Sequence, residues 1–145
     1  MEEIRLFIQI VIAINFPDYT FQYGRTEDIN TYARNVDQLA WLFPMNVGTG
    51  TNQNGRLQRT FNIAVAFFGI DKMSNNNTAQ MAIIESRFKD SEQFMIQMYL
   101  DSLQLDIEPL KPYSTGNIFL KSANGLFTGV QINFSISAPD NYQIC

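Results

Sequence analysis

The chain has 145 residues, of which 46% are hydrophobic and 13% aromatic, enough to close a core and too apolar for a disordered segment. Its 10 Lys and Arg against 14 Asp and Glu give a net charge of −4 with no polybasic run, which excludes the counterion-releasing footprint of a phosphate-backbone binder. There is no histidine, the usual acid–base group at neutral pH and the commonest metal ligand, and with Cys145 the only cysteine no internal disulfide forms.

Glu2 to Asn15 reads as a helix with Ile4, Phe7, Ile8 and Val11 inward. Glu2 and Glu3 suit the positive end of its dipole and Pro17 stops it, while its isoleucine content keeps a strand as the rival reading. The apolar run is short, carries Arg5 and Gln9 and starts acidic, so neither a secretory signal nor a membrane span is expected. Tyr19 to Gly24 alternates as a strand does. Arg25 to Gln38 is polar, with one short helical turn around Ile29 to Arg34.

Leu39 to Met45 is an apolar strand whose Pro44 places that end at an edge or a strand terminus. Val47 to Gly55, holding Gly48, Gly50 and Gly55, reads as the most flexible loop of the chain. Arg56 to Ile70 is the longest strand, with Leu57, Phe61, Ile63, Val65 and Phe67 alternating against Gln58, Thr60, Asn62, Ala64 and Ala66. Both strands and the glycine-rich loop make one long hairpin.

Asn77 to Gln104 reads as a long two-faced helix of about 40 Å, the element around which the rest is organised. Ser86, Asp90, Gln93, Gln97, Asp101 and Gln104 form its polar stripe; Met81, Ile84, Phe88, Met95, Met98 and Tyr99 are expected inward. Asn77 with Gln80 suits a cap, and Glu85 before Lys89 an exposed pair. Leu105 to Lys111 follows as a short strand broken by Pro109 and Pro112. A last hairpin runs from Asn117 to Lys121 through Asn124-Gly125 into Leu126 to Ala138. There Leu126, Val130, Ile132, Phe134 and Ile136 alternate with Gln131, Asn133, Ser135 and Ser137, and residues 139–145 are a tail carrying Tyr142 and Ile144. The fold class is α+β: a mostly antiparallel sheet with a long hairpin, packed by one long central helix and a shorter N-terminal helix, in a single domain, 1–145.

No catalytic constellation emerges from these residues. Gly48-Thr-Gly50 has no following lysine and joins two strands instead of opening a helix, so it reads as a hairpin tip and not a phosphate loop. Asp101, Asp106 and Glu108 match neither a calcium loop nor a two-carboxylate hydrolase and read as solvated surface. A serine nucleophile would need a lysine base, and no Ser-x-x-Lys occurs. The expectation is a non-enzyme without metal or cofactor. Charged residues make up only 17% of the chain, so its polar surface is largely amide and hydroxyl, which suits burial against partners.

In this order of elements the chain resembles the small head–tail connector and tail-terminator (tail-completion) proteins of tailed bacteriophages. Leu126-Phe-Thr-Gly129-Val-Gln-Ile-Asn-Phe-Ser-Ile-Ser is similar to the terminal strand of such proteins, and Ala40-Trp-Leu-Phe-Pro-Met to their buried strand entering a polar loop. The resemblance implies a non-catalytic virion protein, made in the host cytoplasm, that forms a homo-oligomeric ring in the neck joining portal to tail. Its partners would be portal, connector or tail proteins, with no membrane and no sequence-specific nucleic acid, although DNA would pass through the ring. Val47, Gly48, Gly50, Asn54, Gly55 and Arg56, with Tyr142 and Ile144 of the tail, are the residues expected to reach neighbouring subunits. Deleting Val47 to Gly55 would then leave the monomer folded and block docking. Two other readings stay open: a monomeric ligand- or protein-binding module that uses the helix-on-sheet face, and an accessory subunit with one obligate partner.

Overall fold

The structure is a computed structural model that describes residues 2–25, 38–51, 57–71, 77–102, 108–122 and 125–139. In chain order its elements are α1 (Glu2–Asn15), β1 (Thr20–Tyr23), β2 (Gln38–Leu42), β3 (Asn46–Thr51), β4 (Leu57–Asp71), α2 (Asn77–Ser102), β5 (Glu108–Ser122) and β6 (Gly125–Pro139). The strands form one sheet in the order β1-β2-β4-β6-β5, and β3 pairs β4 off that path. Among the described residues only β1 and β2 run parallel. The remaining pairs are antiparallel, so the α+β class is as the sequence reads.

The first segment is helical, which settles the rival strand reading. Ile4, Ile8, Val11 and Ile12 recur at the helical interval and are buried, while Phe7 is half-buried. At the C-terminus the Phe16 N–H donates to Ile12 O at 2.8 Å, and Asn15 Nδ2 donates to Val11 O at 2.9 Å. Pro17 then prevents another turn.

α2 lies on the same face as α1, with its second half turned inward as expected and its first half not. Met81 and Phe88, expected inward, are 63% and 40% exposed, and Ile84 is half-buried. Met95 and Met98 are buried as expected, with Tyr99 packed at the margin, and Arg87, Ser91, Phe94 and Ser102 complete the buried stripe. Polar residues are tolerated in that stripe because each finds a partner. Ser91 Oγ donates to Phe88 O at 2.7 Å and Ser102 Oγ to Tyr99 O at 2.9 Å, while Arg87 donates to the Tyr19 hydroxyl. On the polar side Gln97 Nε2 donates to Asp101 Oδ1 at 2.8 Å, an i,i+4 contact.

The main core lies between the helices and the sheet. Phe61, Ile63, Val65 and Phe67 of β4 and Ile132, Phe134 and Ile136 of β6 all face it. Aromatic contacts cross it from Phe16 to Phe67 (5.6 Å), Phe67 to Phe94 (5.4 Å) and Phe94 to Phe134 (5.9 Å). Beyond simple alternation, one end of the sheet is buried on both faces. Leu39, Trp41, Ala66 and Phe68 form a second apolar cluster with Phe43 and Ile118, so the alternate side of β4 is itself buried at Ala66 and Phe68. The Trp41 indole N–H donates to Gly24 O at 2.9 Å.

Two expectations about strands need correction. The expected loop from Val47 to Gly55 is strand from Asn46 to Thr51, paired with β4 from Asn46↔Asn62 to Thr51↔Leu57. The hairpin therefore starts as expected but continues past Pro44, which does lie just beyond the end of β2. The expected break at Pro109 and Pro112 is absent: Glu108–Ser122 is one strand, with a register shift between Leu110 and Ser114. Because β5 borders only β6 among the described residues, its outer side needs no ladder donors, and proline is tolerated there. The terminal hairpin pairs out to Ser122↔Gly125. Asn54, Gly55, Arg56, Asp106, Asn124, Tyr142, Ile144, Cys145 and the turn expected at 29–34 lie outside the described residues.

Candidate functional site

β2 and β3 occupy successive stretches of the same side of β4. The ladder runs from Gln38↔Gly69 to Leu42↔Val65 and resumes at Asn46↔Asn62, so Phe43, Pro44 and Met45 stand against Ile63 and Ala64. Pro44 has no N–H to give, and the extra residue lets the chain step around it. The Phe43 N–H still reaches Ala64 O at 3.0 Å, which holds the step against β4.

This step delivers β3 as an edge strand. Its inner side pairs β4, and its outer side pairs no strand among the described residues. Asn46, Val47, Gly48, Thr49 and Gly50 are all exposed, and a Cβ added at Gly48 or Gly50 would meet nothing within 4 Å. Three of the expected contact residues, Val47, Gly48 and Gly50, thus come together along one open edge. Thr49 and Asn46 join them and were not singled out from sequence. The signal was present as the alternation Val47, Thr49, Thr51, a β-branched run masked by the intervening glycines.

The three edges of the sheet differ in how they are guarded. β1 is only 4 residues long. β5 carries Pro109, Lys111 and Pro112 and a register shift, all features that discourage pairing with another chain. β3, at 6 residues, has no charge, no proline and no irregularity. Natural sheets rarely leave such an edge unprotected unless something pairs with it.

A second feature lies on the outer side of the helices. Leu6, Ile10 and Ile14 of α1 recur every fourth position and are 44%, 55% and 72% exposed. Phe88, Ile96 and Leu100 of α2 are likewise open to solvent. Phe94, Met95 and Met98, which a binding module would use as a groove, are buried in the core.

Of the residues considered for chemistry, Gly48-Thr49-Gly50 lies within β3 and faces no helix N-terminus in its own segment. Asp101 is half-buried and accepts from Gln97, while Glu108 opens β5. Among the described residues no three of Asp, Glu, Cys or His gather as a metal site would require, and no helix is long and apolar enough to cross a membrane. The Tyr19 titration is strongly displaced: burial, then the hydrogen bond to Asp90, raises its phenol above the ordinary value despite the opposing pull of Arg87. Tyr19 ties the α1–β1 connection to α2.

No protein-family model matches the chain, and no curated protein matches its sequence.

Proposed function

We propose that the chain is a non-catalytic structural subunit that assembles with copies of itself into a ring, of the kind found at the head–tail neck of tailed-phage virions. The open, uncharged edge of β3 carries this reading. An unguarded edge offers a row of backbone donors and acceptors to a neighbouring subunit, and pairing there removes the aggregation hazard it otherwise poses. A ring needs heterologous contacts, in which one surface meets a different surface of the next copy. The exposed apolar side chains on the outer faces of α1 and α2 supply a further surface, suited to the next subunit or to a portal, connector or tail protein. Uncharged strands cost less to desolvate on assembly than charged ones would. The net charge of −4 suits a channel that passes DNA without retaining it.

Negative-stain imaging of the purified chain across a concentration series tests the reading. Closed rings of uniform diameter are expected. Isolated dimers with two-fold symmetry would replace it with an isologous β3–β3 contact, and a single obligate partner of other sequence would replace it with an accessory subunit.

A further inference from the structure

On the face of the sheet away from the helices, a cavity of about 360 Å³ opens between the β2–β3 step and the β5 register shift. It crosses β3, β4, β6 and β5, three strand spacings or about 14 Å. Its floor is made of Asn62, Ala64, Asn133 and Ser135. Pro44 and Asn46 close one end, and Tyr113 and Ser114 close the other.

The hydrogen bonds already made on this floor decide what it can offer. Ser135 Oγ donates to Asn62 Oδ1 at 2.8 Å, and Gln131 Nε2 donates to Asn133 Oδ1 at 3.0 Å. Both carboxamide oxygens therefore already accept a bond, and what each asparagine has left to offer a ligand is chiefly its NH2 group. Tyr113 stands where the strand is irregular. Leu110 pairs Ser135 and Ser114 pairs Asn133, so β5 spends more residues than β6 over this interval, and such irregularities re-aim side chains. Tyr113 lines the cavity and is 37% exposed.

We infer that this trough binds a short neutral oligosaccharide, independently of any ring. The chemistry narrows the ligand by exclusion. Among the described residues no Lys or Arg lines the cavity to balance an anion, and no carboxylate lines it to hold a cation. An apolar ligand would bury the carboxamides and hydroxyls unpaired. A peptide strand added to the sheet would need a free edge running alongside it, whereas the trough crosses the strands. A neutral sugar satisfies what remains. Its ring and hydroxyl oxygens accept from Asn62 and Asn133, its hydroxyls donate to Ser114 and Ser135, and its C–H face packs on the rings of Tyr113 and Pro44.

Nitrogen-15 NMR titration of the full chain with maltotriose, cellotriose and triacetylchitotriose, each to about 20 mM, tests this at the millimolar affinities such open sites reach. At least one trisaccharide is expected to give saturable shifts of the Asn62 and Asn133 side-chain amides, with glycerol at equal hydroxyl concentration giving none. Asn133→Ala and Tyr113→Ala should each weaken binding at least fivefold while leaving spectral dispersion intact. If either variant loses dispersion, the milder Asn133→Ser and Tyr113→Leu replace it and should show the same loss. The inference is overturned if no trisaccharide gives saturable shifts, if glycerol shifts the same amides equally, or if folded variants bind as the parent does.

Discussion

The Tyr19 hydroxyl donates to Asp90 Oδ2 at 2.5 Å, joining residues 71 positions apart. Arg87 donates to the same hydroxyl and stands 3.8 Å from Asp90, with its guanidinium 5.1 Å from the centre of the Tyr19 ring. The α1–β1 connection is thereby fixed to α2, and this linkage accounts for how a helix can turn an arginine toward the sheet. Tyr19→Phe keeps the ring contact with Phe67 but removes the bridge. It should cost about 1–2 kcal/mol, measured as a lower urea midpoint with an unchanged m-value.

The same residue sets an alkaline limit. Its folded-state phenol ionises above the unfolded value, so the stabilisation is complete below about pH 10 and is lost as pH rises beyond it. Denaturation midpoints between pH 8 and 11 should fall for the parent and fall less steeply for Tyr19→Phe. Parallel profiles would remove Tyr19 from the account.

Two kinds of glycine should respond oppositely. A Cβ at Gly129 would sit 2.0 Å from the Phe67 carbonyl oxygen on the neighbouring strand, so Gly129→Ala should cost about 3 kcal/mol or more by overpacking. At Gly48 and Gly50 a Cβ meets no atom within 4 Å. Gly48→Ala should leave thermal stability unchanged or raise it by about 0.5 kcal/mol through the unfolded chain.

The two faces of α1 should also separate. Ile8 is fully buried, and Ile8→Ala should cost about 2–5 kcal/mol. Ile14 is 72% exposed, and Ile14→Gln should leave the melting temperature within about 2 °C, near the limit for an exposed substitution. If Ile14→Gln destabilised the monomer as Ile8→Ala does, the outer face of α1 would not be a free surface.

The helices and most strands were legible because their signals are local. The spacing of Ile4, Ile8 and Val11 is helical, and Phe61 to Phe67 alternates over enough residues to define a buried face. What was not legible depended on distant partners. Nothing near Arg87 indicates that Tyr19 and Asp90 will pair with its guanidinium, so a reading that sorts residues by polarity places Phe88 inside and Arg87 outside. Pro109 and Pro112 read as strand breakers because sequence does not reveal that β5 is an edge. Glycines hid β3 by the same limitation, since a β-branched run with glycine between looks like a loop until β4 is seen beside it. Of the candidate contacts, Val47, Gly48 and Gly50 were singled out by their place in the hairpin as part of a loop, and they lie on a strand with an open edge. Deleting Val47 to Gly55 would therefore remove part of the sheet, and a point charge is the cleaner probe.

Thr49→Lys places a charge on the open edge of β3 without touching the core. Native mass spectrometry of the parent and this variant over a shared concentration series tests the central claim most directly. The account predicts oligomers that grow with concentration toward a closed ring in the parent, and a folded monomer in Thr49→Lys, because edge lysines block strand addition. Identical mass distributions for the two chains at every concentration would contradict it.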